Sequence, residues 1–203
     1  VAQDTWASGI ISHLNPLAQA SGIRIGDSVQ GAVAKIIHLF SDGIPASKTH
    51  SASTIHNAGS NNELKQQTQT QVEGVTITLT DSITFLNERN AGDIVVCGSH
   101  GGISAGHYAH NHGVRAVFFN DAGVGKNNAG VKSLESLSHA GILACTVDCL
   151  SAEIFNGQDT LDNGILSVCN SLAIAKGIQK GMSVKAAIPL IPATTRSLRL
   201  GGH

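Results

Sequence analysis

Downstream of residue 74 the chain alternates short apolar runs with longer stretches of mixed polarity. Val75 to Thr80, Asp93 to Val96, Ala116 to Phe119 and Ile142 to Val147 are compact runs rich in Val, Ile and Phe, bounded by Gly, Asn and Asp. That is the pattern of buried strands. Between them, Ser82 to Asn90, Gly102 to His112 and Ala129 to Ala140 read as helices joined by short connections. Strands alternating with helices predict an α/β domain: an open parallel sheet of about four strands with helices on both faces. Right-handed crossovers place the carboxyl ends of the parallel strands along one edge.

The last helix of this pattern has a counterpart at the start of the chain. Gln3 to Ala32 aligns with Gln158 to Ala187 at a constant offset of 155, without a gap, and 16 of the 30 positions are identical. Unrelated segments of ordinary composition would share roughly two or three. In the second copy Leu161, Ile165, Val168 and Leu172 are spaced as one apolar helical face, capped by Asp159 or Thr160 and closed at Gly177. In the first copy Trp6, Ile10, Leu14 and Leu17 repeat that face and Gly22 closes it. The first copy has no strands ahead of it. The expected organisation is therefore a duplicated helix and tail at 1–40, a polar linker at 41–73 and an α/β domain at 74–203. Residues 1–40 then complete another domain or form an interface, because an orphan amphipathic helix exposes an apolar stripe. A homo-oligomer, or a heteromer with a chain carrying the missing upstream domain, is expected.

The linker is Ser, Thr, Asn, Gln and Gly for most of its length, and His50 and His56 within it read as solvated loop residues. Charged residues make up 13% of the chain and the formal net charge is −1, which leaves no basic footprint for nucleic acid or a membrane surface. No apolar run is long enough to span a bilayer, and Val1-Ala2-Gln3-Asp4 lacks a signal pattern, so a soluble cytoplasmic protein is expected. Cys97, Cys145, Cys149 and Cys169 lie in or beside apolar elements rather than in a loop framework, and read as free thiols. Aromatics are 3% of the chain, too few for a base-stacking surface.

Most of the polar side chains able to do chemistry fall at the expected strand ends: Asp81, the loop Cys97-Gly98-Ser99-His100-Gly101-Gly102, Asn120 and Asp121 through Lys126, and Asp148-Cys149. Open α/β sheets bind ligands on that edge. The loop nearly matches the nucleophile elbow G-x-S-x-G of α/β-hydrolases, with Cys97 in place of the first glycine and no histidine suitably placed after the last strand. Over about six residues it is also similar to the Gly-Ser loop of nucleotide-binding universal stress proteins. The expected function is a small-molecule hydrolase acting on a carbonyl or amide centre. Ser99 is its nucleophile or donor, His100 its proton carrier, and Asp121 and Asp148 the orienting carboxylates. Gly98, Gly101 and Gly102, with Asp81, Asn120 and Lys126, are the ligand-binding residues. The alternatives are an anion- or nucleotide-binding module on the same loops, or the structural half of a heteromeric enzyme. His107, His110 and His112 read as a polar helix face, no metal-ligand spacing stands out, and no cofactor is implied. A buried, inert thiol is the expectation for Cys149, the alternative being a nucleophile whose pKa an electropositive neighbour lowers.

Overall fold

A computed structural model describes residues 2–41 and 67–192. They belong to two compact units, divided near residue 60. Residues 42–66, with His50 and His56, lie outside the described residues.

In the first unit, α1 (Ala2–Ser8) and α2 (Pro16–Ala20) stand where one apolar-faced helix closing at Gly22 was expected, and α3 (Val29–Ser41) follows. Two residues break it. Gly9 packs against the carbonyl of Thr5 and the side chain of Val29, and Asn15 accepts the Ala18 N–H at 2.8 Å to start α2 with Pro16 in its first turn. Between α1 and α2, Ile10 bridges antiparallel to Ser28. Asp27 accepts the Arg24 N–H at 2.8 Å and pairs with Lys35 at 2.6 Å.

The second unit is a mixed α/β structure around a six-stranded sheet in the order β1-β2-β3-β4-β5-β6. The strands are β1 (Thr68–Val72), β2 (Val75–Thr80), β3 (Ile94–His100), β4 (Ala116–Asn120), β5 (Leu143–Val147) and β6 (Leu166–Cys169). The central four are parallel and both edges are antiparallel. The sequence pattern found the central strands and missed both edges. β1 lies at the end of the polar segment 41–73 and is a Thr-Gln-Thr-Gln-Val run whose alternation carries little apolar contrast. β6 lies inside the stretch read as one helix, because Gly164 ends α6 (Gly157–Asn163) and the chain turns back before α7 (Ser171–Ile174) and α8 (Val184–Ala187). Ser82 to Asn90 forms two 3-10 turns, 83–85 and 88–90, rather than a helix.

Successive parallel strands in sequential order put every crossover on one face. Alternate residues Val95, Cys97, Val117, Phe119 and Ala144 pack there, against the 3-10 turns, α4 (Ile103–Asn111) and α5 (Ser133–His139). The opposite residues, among them Leu79, Val96, Phe118, Cys145 and Val147, pack under α6 to α8, with Leu161, Ala173, Ile178 and Ile188. The strands are buried on both sides, hence their nearly continuous apolar runs. Among the described residues no helix is long and apolar enough to cross a membrane.

Candidate functional site

β3 runs farther than its apolar run suggested, because the small residues Gly98 and Ser99 continue the ladder past an irregularity between Val96 and His100, where His100 pairs with Asn120. Ser99 is therefore a strand residue and does not sit on the strand-to-helix turn that a nucleophile elbow requires. Its side chain is buried, and its Oγ accepts the Ile83 N–H at 3.0 Å, fixing the first 3-10 turn to β3. Gly98 faces the other way, where Phe155 N donates to its carbonyl at 2.8 Å and a Cβ would strike the Phe155–Asn156 backbone. The glycine is needed because the 148–156 connection crosses directly over the end of β3.

The amides expected to bind an anion are already engaged. Gly101 N donates to the Asn120 carbonyl at 3.0 Å, and Gly102 N donates to Nδ1 of His100 at 3.1 Å. The second bond makes Nε2 the protonated nitrogen of the neutral His100 ring, which is exposed at the strand edge. Asp81 accepts the Gly157 N–H at 3.0 Å and anchors the start of α6 to the end of β2. Asn120 is fully buried: its Oδ1 accepts the Ala122 N–H at 2.8 Å and its Nδ2 donates to the Ala152 carbonyl at 3.0 Å. Lys126 opens a 3-10 turn on the exposed part of the same loop. His107 and His110 are exposed on α4.

Asp121, Asp148 and Cys149 do come together. One ligand atom from each lies within 4.8 Å of the others, at the carboxyl ends of β4 and β5. Oδ1 of Asp121, which is buried, accepts N–H groups from Gly123 at 2.8 Å and from Cys149 at 3.1 Å. Asp148 accepts the Leu150 N–H at 2.8 Å. Desolvation and then the charge and hydrogen bond of Asp121, with a contribution from Asp148, push the Cys149 thiol above its ordinary range, so it holds its proton at neutral pH. Two carboxylates and a thiol are also the residues of this site able to hold a divalent metal. Cys149 is half-buried, and the charged groups beside it, Asp121 and Asp148, are acidic rather than electropositive. Its place beside them is signalled by its position one residue after Asp148, at the end of a strand adjacent to the one that ends in Asp121.

The backbone beside this cluster is unusual. Ala122, Gly123, Val124 and Gly125 all have φ between 49° and 71°, and Asn127 and Asn128 follow at 56° and 58°. Positive φ at a β-branched valine is costly, of order 1–3 kcal/mol, and such strain concentrates at functional sites. Gly130 holds the loop from below, packed so closely on the Asp121 carbonyl that a Cβ has no room. Sequential strand order leaves no reversal between parallel strands, so the sheet itself opens no crevice and the loops alone shape the site. Comparison with protein families, with curated proteins and with solved structures gives no match to this chain.

Proposed function

We propose that this protein is a small-molecule hydrolase acting on a carbonyl or amide centre, with Cys149 rather than Ser99 as the attacking group. The observation that supports it is the convergence of Cys149, Asp121 and Asp148 within 4.8 Å beside a strained loop. Cys149 Sγ bonds to the substrate carbon while its proton passes to Asp121 and the carbonyl electron pair moves onto oxygen. The transfer is concerted with attack, because the raised thiol of Cys149 keeps its proton until the carbon–sulfur bond forms. Asp121 returns the proton to the leaving amine or alkoxide, and water then cleaves the thioester, restoring the thiol and releasing the acid. Asp148 receives the proton of that water and passes it to Cys149 Sγ as the carbon–sulfur bond breaks, and His100 Nε2–H donates to the substrate oxygen.

The alternative of an anion- or nucleotide-binding module calls for open amides on the 98–102 and 123–126 turns; Gly101 and Gly102 N are engaged, and Gly123, Val124 and Gly125 N are bonded within their own loop. In either reading the ligand is a small molecule and the protein works away from nucleic acid and membrane. The test is a panel of activated esters and anilides, with intact-mass detection of an acyl group on the peptide containing Cys149. Turnover falling at least 100-fold in Cys149→Ala and Asp121→Asn, and within a few-fold of the parent in Ser99→Ala, supports the proposal. Turnover that survives Cys149→Ala, or no turnover across the panel, overturns it.

A further inference from the structure

We infer that residues 2–41 are a docking surface for the sheet of a second α/β domain built like residues 67–192, lying before residue 2 in chain order. The two matching segments adopt one hydrogen-bonded module. Ile11 N donates to Asp27 O and Gly26 N to Ile11 O, both at 2.8 Å; Leu166 N donates to Met182 O and Gly181 N to Leu166 O, both at 2.8 Å. Val29 N reaches Gly9 O at 2.9 Å, as Val184 N reaches Gly164 O at 3.0 Å. The bridge Ile10–Ser28 matches the bridge Ile165–Ser183. Gly22 and Gly26 have φ of 77° and 93°, and their counterparts Gly177 and Gly181 have 80° and 89°. Asn15 caps α2 as Asn170 caps α7.

The second copy shows what the module is for. It supplies β6 to the edge of β5 and closes one face of the sheet, with Leu161, Ala173 and Val184 in the core. Asn170 N donates to Ala144 O at 2.9 Å and its Nδ2 to Ile142 O at 2.9 Å, both groups lying just before or in β5. In the first copy the counterparts are less covered: Trp6, matching Leu161 (4% exposed), is 49% exposed, Ala18 and Val29, matching the fully buried Ala173 and Val184, are half-buried, and Leu17, matching the half-buried Leu172, is 76% exposed. Asn15 keeps the amide that reaches the sheet in Asn170, although a turn cap alone needs only its side-chain oxygen. The occupant is not the sheet of residues 67–192, because the β5 edge already carries β6 in register. In residues 67–192 the module follows β5 after the 148–156 connection, and the same order puts the partner sheet ahead of residue 2.

The experiment is hydrogen exchange with intact-mass measurement on the protein isolated from its source, beside residues 1–203 expressed alone. The expected result is a natural polypeptide longer than 20.9 kDa by one further α/β domain. In it the amides of His13 and Asn15 exchange within about 10-fold of those of Val168 and Asn170; in residues 1–203 alone they exchange at least 100-fold faster. A natural chain of 20.9 kDa, a partner sheet on a separate polypeptide, or fast exchange at His13 and Asn15 in the natural protein overturns the inference.

Discussion

Replacing Asn170 with alanine measures how much the terminal module contributes to the second unit. The residue is 6% exposed, its Oδ1 accepts the Ala173 N–H at 3.0 Å, and its Nδ2 donates to Ile142 O at 2.9 Å and, more weakly, to Leu134 O at 3.4 Å. Loss of a helix cap costs about 1 kcal/mol. Loss of the Ile142 bond, leaving its carbonyl without that donor in a buried setting, costs about 2 kcal/mol more. The expected total is about 3 kcal/mol, a shift of about 2 M in the urea midpoint for a slope near 1.5 kcal/mol/M. Asn15→Ala removes the equivalent cap at an exposed position and is expected to cost only about 0.5–1 kcal/mol in residues 1–203. One chain reports both events, because its only tryptophan, Trp6, lies in the first unit and its only tyrosine, Tyr108, in the second. Asn170→Asp keeps the accepting oxygen but turns a second oxygen toward Ile142 O, so it is expected to be no better than alanine. A midpoint shift below about 0.5 M for Asn170→Ala at unchanged slope, or equal effects at the two asparagines, refutes the reasoning.

Two cysteine predictions follow. Cys145 and Cys169 face each other across β5 and β6, and the neighbouring bond from Asn170 N to Ala144 O makes theirs the close, non-hydrogen-bonded kind of pair. The hydrogen bond to Cys169, and then burial, push the Cys145 thiol up, while the same bond lowers Cys169. Diamide is expected to close this pair, seen as a loss of about 2 Da confined to their peptides and abolished by Cys169→Ser; a native protein that resists diamide while Cys149 reacts contradicts it. Burial pushes Cys97 from 9.0 up to about 12. Its folded pKa lies above its unfolded one, so its contribution is complete below pH 9 and declines as pH rises from 9 toward 12, reaching about 1.4 kcal/mol lost at pH 10. Urea midpoints of the parent and Cys97→Ala at pH 7 and pH 10 check this, and a parent that loses no more than the variant rules it out.

The central strands were legible because burial on both faces forces runs such as Ile142 to Val147. The edges were not, for two different reasons. β1 has one exposed side and is mostly Thr and Gln, so polarity hid its period of two. β6 carries apolar residues at spacings that also fit a helix, and only the break at Gly164, set by the packing of its Cα against Thr160 O and Val147, separates the two. At the strand ends, the residues were readable and the contacts they make were not. Asp121 and Asp148 fall at strand ends in the sequence, but the Ile83 N–H on Ser99 and the 155–156 backbone over Gly98 come from elsewhere in the chain. Local pattern carries no record of such contacts.

Placing every crossover on one face also sets an order of assembly. As the chain is synthesised, β2 to β5 acquire their cover on the α4–α5 side step by step, each helix following its strand. The opposite side, with Leu79, Val96 and Phe118, stays uncovered until the segment 157–191 arrives as a block. A nascent chain of this protein therefore passes through a half-sheet with one naked apolar face, open to aggregation or to a chaperone.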